Sequence, residues 1–153
     1  MIIFFDQLQT NTTPIVVSMT GLEMGASRTS MVAKNIKSNE SLLSLHISRK
    51  NIVDSAGVQL AWMLNTNKTL RKLDLEGNQL GPKSIVEFGK MLRYNKSLKS
   101  IDLESNFLTL GGSEYWGLYE FVEFLDHNNT LLSLNLANND LDEKCGQMFS
   151  DKL

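Results

Sequence analysis

Four carboxylates are spaced so that they could act together. Asp74 and Glu76 stand two residues apart, and Asp102 and Glu104 repeat the pair 28 positions later. On an extended strand, residues i and i+2 share a face. Strands paired in that register would set Asp74 beside Asp102 and Glu76 beside Glu104, about 4.8 Å apart. Like charges that close repel, so the strip either recruits a basic partner surface or stands merely solvated. His46, between Ser44 and Ser48, would share the outward face. His127 is the only other histidine and lies far along the chain, so no metal centre is expected. Tyr115 and Trp116 are adjacent aromatics of the kind that anchor protein interfaces, unless Trp116 folds down over its own neighbourhood. The lone Cys145 reads as a buried apolar filler. There is no G-x-S-x-G, no phosphate-cradling glycine loop and no Cys-His arrangement. The chemistry to expect is recognition of a protein partner, without catalysis and without a cofactor.

Composition points the same way. The 153 residues carry 15 Lys and Arg against 17 Asp and Glu, a formal charge of −2. That argues against nucleic acid held by bulk positive charge. With 42% hydrophobic and 21% charged residues, the chain suits a globular core. A single cysteine cannot close an intramolecular disulfide, which fits a reducing, cytoplasmic setting. No apolar run is longer than the five residues of Met1 to Phe5, too short for a membrane span or a secretory leader, so no membrane partner is expected.

The elements that must position these residues come from an internal repeat. Leu70, Leu73, Leu75, Asn78 and Leu80 spell L-x-x-L-x-L-x-x-N-x-L. Leu42, Leu45, Ile47, Lys50 and Ile52 form an earlier copy. Leu98, Ile101, Leu103, Asn106 and Leu108 form a later one, and Leu131, Leu134, Leu136, Asn139 and Leu141 the last. The starts are 28, 28 and 33 residues apart, and a looser copy begins at Pro14 with Val17, Met19 and Met24 in its apolar slots. Asn11, Asn39, Asn67, Asn95 and Asn128 each precede a start by three residues. All five match N-x-[ST], but in this phase they read as punctuation between a helix and the next strand. Alternation puts Leu73 and Leu75 on one side of a strand, with Lys72, Asp74 and Glu76 on the other. Ile85, Phe88 and Leu92 make a helical stripe. Asn78, Asn106 and Asn139 should form a hydrogen-bonded ladder, interrupted where Lys50 and Leu22 replace Asn. One such unit cannot stand alone, so stability must come from stacking neighbours.

These units resemble leucine-rich repeats of the ribonuclease-inhibitor type. Ala56-Gly57 with Leu60, Met63 and Leu64 fill the helix half of one unit, and Leu118, Phe121, Phe124 and Leu125 that of another. The resemblance implies an α/β fold: a curved solenoid with parallel strands on the concave face and helices on the convex face. In that family Asp between two strand leucines is common. Residues 1–153 then form a single domain with a partial repeat at 1–13, repeats at 14–41, 42–69, 70–97 and 98–130, and a partial repeat at 131–153. Phe4 and Leu8 would lie in the helix of the first partial unit, and Cys145, Phe149 and Leu153 in that of the last. Neither end shows a polar cap, so further repeats or end-to-end self-association are expected. The extra residues of the long unit fall in a 109–117 loop carrying Tyr115 and Trp116, on the kind of edge that repeat insertions use for binding.

The implied function is a non-enzymatic interaction scaffold. Its partner-binding residues would be His46, Asp74, Glu76, Asp102 and Glu104 on the strand face, with Tyr115 and Trp116 in the loop. The run Leu103-Glu-Ser-Asn106-Phe-Leu108 resembles the closing repeats of tropomodulins, which bind actin, and phrases found in ciliary axoneme repeat proteins. That implies a cytoskeletal or ciliary assembly. Two alternatives share the repeat: a Ran-type GTPase activator, for which Arg49 in a strand-exit loop would be the acting residue, and a ligand-sensing fragment of a nucleotide-binding innate-immune receptor.

Overall fold

The structure, a computed structural model, describes residues 7–8, 10–19 and 21–152. Phe4 and Leu153, placed above in repeat elements, lie outside the described residues. Strands and helices alternate: β1 (Ile15–Ser18), α1 (Gly25–Ile36), β2 (Leu42–His46), α2 (Asp54–Thr66), β3 (Lys72–Asp74), α3 (Pro82–Tyr94), β4 (Ser100–Asp102), α4 (Trp116–Leu125), β5 (Ser133–Asn135) and α5 (Glu143–Lys152). The strands form one parallel sheet in chain order, β1 to β5. Ser44 faces Lys72, Lys72 faces Ser100, and Ser100 faces Ser133. Each helix packs on the helices of adjacent units, giving one helical layer behind one sheet.

The reason is periodicity. Leu45, Leu73 and Ile101 sit on consecutive strands and are fully buried, as are Leu75 and Leu103 two positions on. Leu60, Leu64, Ile85, Phe88, Leu92, Leu118 and Phe121 meet them from the helices and are likewise fully buried. Gly57 and Gly117 let neighbouring units approach. A methyl on Gly117 would lie 2.7 Å from the Pro82 carbonyl oxygen. At the β5 edge of the sheet, covered by a neighbouring strand on one side only, Leu131, Leu134 and Leu136 are half-buried and Leu141 is 39% exposed.

Two asparagine ladders run through the stack. Asn78 donates from Nδ2 to the carbonyls of Ile47 (3.0 Å) and Leu75 (2.9 Å), while its Oδ1 accepts from the Lys50 and Ile52 amides. One and two units on, Asn106 and Asn139 likewise donate to backbone carbonyls, Asn106 Oδ1 accepting the Leu80 amide and Asn139 Oδ1 the Asn106 amide. Where the ladder lacks its asparagine at Lys50, that residue's backbone carbonyl takes over and accepts from the Met24 amide at 3.0 Å. The first pairing is also irregular, with a register shift between Ile15 and Val16.

The second ladder is made by the residues read as punctuation. Asn39, Asn67 and Asn95 are buried. Asn67 donates to the Ile36 and Asn39 carbonyls, and Asn95 to those of Leu64 and Asn67. Their Oδ1 atoms accept the amides that open the next strand: Thr69 and Leu70, then Ser97 and Leu98. These asparagines stitch units together as well as ending helices.

The extra residues form a tight turn. Leu110, Gly111 and Gly112 have φ of 49°, 69° and 79°, and the Thr109 hydroxyl donates to the Asn139 carbonyl at 2.8 Å. The 109–117 loop is shorter than expected, because Trp116 and Gly117 already belong to α4. The contact of Gly117 with Pro82 seats that helix start against α3.

Candidate binding surface

The outward residues of the sheet form a continuous row. Ser18, His46, Asp74, Asp102 and Asn135 occupy successive rungs of β1 to β5. His46 Nδ1 lies 3.1 Å from Asp74 Oδ2, and its Nε2 lies 2.9 Å from the Ser44 hydroxyl. Asp74 Oδ1 accepts the Glu76 amide at 3.1 Å, and Asp102 Oδ1 accepts the Glu104 amide at 3.0 Å. Asn135 repeats the motif on the Ala137 amide. Each aspartate therefore spends one oxygen fixing its own strand exit and presents the other across the sheet. This explains in local terms why Asp and Asn alternate at one position: either supplies the acceptor.

The second row holds the glutamates. Glu76 Oε1 accepts from Arg49 Nη2 at 2.7 Å and Nε at 3.2 Å. That hydrogen bond and its charge raise the Arg49 pKa above its usual value. Glu104 accepts from Asn135 at 2.9 Å and Asn138 at 3.1 Å, and Asn135 also reaches Asp102 at 3.3 Å. The acidic strip is thus assembled as the repeat spacing implied. It is also cushioned by His46, Arg49, Asn135 and Asn138, which answer the repulsion expected of Asp74 beside Asp102.

Sequence reasoning missed the Ser44–His46–Asp74 chain. It resembles the relay of a serine hydrolase in connectivity, yet its surroundings do not support acyl transfer. The Ile47 amide is spent on the Asp74 carbonyl at 3.0 Å, and the ladder takes the strand amides. A developing oxyanion there would meet carboxylates where donors are required. The geometry instead holds the imidazole upright on the sheet.

Tyr115 and Trp116 part company. Tyr115 is half-buried, its hydroxyl donating to the Asp140 carbonyl at 3.3 Å and its ring 6.2 Å from that of Tyr119. Burial, then the nearby Asp142, pushes its phenol above the usual pKa. Trp116 opens α4 with 43% of its surface exposed, its indole N–H donating to Glu114 at 2.9 Å. Among the described residues no hydrogen bond or ion pair links this aromatic pair to the acidic rows. Cys145 is buried, and that burial pushes its thiol up to about 11. No helix among the described residues is long and apolar enough to cross a membrane.

With the parallel sheet, the helical layer and both ladders in place, comparison with known proteins is decisive for the fold. A family model described as Leucine Rich repeat matches residues 66–89 and 127–148. The chain's fold is that of a leucine-rich-repeat solenoid. Its solenoid is similar to a structure titled leiomodin-1 actin-binding site 2, with a TM-score of 0.79 and 19% identity over 97% of this chain and 84% of that one. It is also similar to a tropomodulin C-terminal domain from Caenorhabditis elegans, with a TM-score of 0.76 and 16% identity over 97% of this chain and 88% of that one. No curated protein matches by sequence.

Proposed function

We propose that this leucine-rich-repeat solenoid is a non-enzymatic interaction module. Its sheet face binds a protein partner of the cytoskeleton, with actin the first partner to test. The observation that carries the reading is the row His46–Asp74–Asp102, flanked by Glu76 and Glu104, on one rigid sheet. Side chains already held by local hydrogen bonds lose little freedom on docking. Cationic side chains of a partner would take over acceptor oxygens now served by Asn135, Asn138 and Arg49. Trp116, exposed at the end of the solenoid's long unit, would add an apolar contact. The similarity to a structure titled as an actin-binding site supports the choice of partner. A ciliary setting is one place where such a module would work. The GTPase-activator alternative is less favoured because Arg49 is engaged by Glu76.

Co-sedimentation with filamentous actin tests this. The Asp74→Asn/Asp102→Asn/Glu76→Gln/Glu104→Gln variant keeps the local acceptors and removes the charge. It should lose about tenfold in affinity, some 1.4 kcal/mol. Failure of the wild-type chain to pellet with actin removes actin as partner, and an unaltered affinity in the variant removes the sheet face.

A further inference from the structure

We propose that the opposite rim, where helices return to strands, is a docking site for an acidic segment of a partner protein. Lys37, Lys68, Arg71, Arg93, Lys96 and Lys99 all lie along this edge, at or just after the ends of α1, α2 and α3. Their spacing is set by backbone contacts. The Lys99 amide donates to the Arg71 carbonyl at 2.8 Å, so these two cations stand on adjacent rungs. Lys68 and Lys96 follow Asn67 and Asn95, which are joined by the second ladder at 3.1 Å. The result is a two-by-two array of cations, stepped by roughly one strand spacing of ~4.8 Å.

None of the six forms an ion pair among the described residues. Of the nine other lysines and arginines, three are paired among the described residues: Arg49 with Glu76, Lys90 with Glu87, Lys152 with Glu123. At the rim, Lys68 donates to the Asn65 carbonyl at 2.9 Å and Arg71 to the Ser97 carbonyl at 2.9 Å. Those contacts aim the side chains without neutralising them. Like charges on neighbouring rungs are unfavourable until an anion arrives.

Shape and polarity select the occupant. Two notches indent the rim between adjacent units, one of about 470 Å³ beside Lys37, Glu40 and Lys68 and one of about 290 Å³ bounded by Lys68, Arg71, Tyr94 and Lys96, so the purely cationic second notch is the one that suits a carboxylate. Tyr94 is 66% exposed, with the Arg93 guanidinium 5.6 Å from its ring centre. A thin, extended chain can enter such a notch with its carboxylates, whereas a bilayer surface lies across it. A long polyanion would run on past the cations onto a chain that is negative overall, at −2. A short run of Asp or Glu meets only the rim.

The test is fluorescence anisotropy of a labelled oligoglutamate peptide with the full chain. Binding should saturate, weaken as salt rises and be absent for oligoglutamine. Lys68→Gln/Arg71→Gln/Lys96→Gln should weaken it about tenfold or more, with a melting temperature little changed because relieved repulsion offsets the lost contacts to the Asn65 and Ser97 carbonyls. Lys90→Gln and Asp74→Asn/Asp102→Asn should leave it unaltered, which separates this site from the sheet-face reading. Equal affinity in the triple variant overturns the proposal. Capture of phosphatidylserine vesicles or single-stranded DNA by the same cations, without peptide binding, overturns the choice of partner.

Discussion

Asn95 leans on Asn67 one unit before it, donating across 3.1 Å to that residue's backbone carbonyl while fully buried itself. The same side chain donates to Leu64 and accepts from the Ser97 and Leu98 amides, both at 2.8 Å. Asn95→Ala would strand the Leu64 carbonyl and the Ser97 and Leu98 amides in the interior and leave the Asn67 carbonyl only a 3.5 Å contact from the Ser97 hydroxyl. Each orphaned buried group costs on the order of 1–3 kcal/mol, partly recovered by relaxation, so a loss of ~3–4 kcal/mol is expected. Asn128→Ala, at a half-buried position, should cost less. Urea unfolding of the two variants measures the difference, and equal small losses would deny the second ladder its role.

The glycines give an ordered series. Gly117→Ala places a methyl 2.7 Å from the Pro82 carbonyl oxygen and 2.9 Å from its α-carbon, neither of which can turn aside. Overpacking against backbone should cost ~1–3 kcal/mol. In Gly57→Ala the nearest atom is the rotatable Ser84 hydroxyl, but moving it surrenders bonds to Asp54, so this too should destabilise. Gly146, in α5, has nothing within 4 Å of its added methyl. Gly146→Ala should therefore raise stability by ~0.5–1 kcal/mol through helix propensity alone. Thermal melts should rank the three with only Gly146→Ala above wild type.

Much of this architecture was readable from residue types because one rule repeats. Once Leu73 and Leu75 are assigned to a strand's inner face, Asp74 must face outward, and a 28-residue step must bring Asp102 beside it. The Asn78 ladder followed from the same register. The Ser44–His46 contact was also latent there, since i and i+2 share a face, but side-chain rotamers decide whether such neighbours bond. The buried role of Asn67 and Asn95 escaped because helix-ending asparagines satisfy their local backbone in many folds, and only the adjacent unit reveals the second set of bonds. Trp116 escaped for a similar reason: whether an aromatic covers its neighbour depends on where the helix begins, and Gly117 against Pro82 determines that.

Tyr115 and Trp116 should separate stability from binding. Tyr115 packs on the core and bonds the next unit's Asp140, so Tyr115→Ala should cost ~2–4 kcal/mol. Trp116→Ala removes an exposed ring whose one polar contact is to exposed Glu114, so its melting temperature should shift by no more than a degree or two, ~0.5 kcal/mol. In the actin pelleting assay Trp116→Ala should weaken binding although the fold is intact. A stability loss in Trp116→Ala as large as that in Tyr115→Ala would mean that the indole is a packed lid.

Ser44, His46 and Asp74 provide the sharpest check on the non-enzymatic reading, because their 2.9 Å and 3.1 Å contacts reproduce a hydrolytic relay. Attack by Ser44 on an acyl or phosphonyl centre needs donors for the developing negative charge, and removal of one such donor in a working hydrolase costs about 100-fold or more. Here the neighbouring amides are already bonded within the sheet, and Asp74, Glu76 and Asp102 surround the site with acceptors. A fluorophosphonate probe should accordingly leave Ser44 unlabelled under conditions that label a serine hydrolase to completion, read by intact mass. His46→Asn should lower stability only modestly, by ~1 kcal/mol for the lost contacts. Labelling at Ser44 that His46→Asn abolishes would show an activated hydroxyl and make the sheet face a catalytic one.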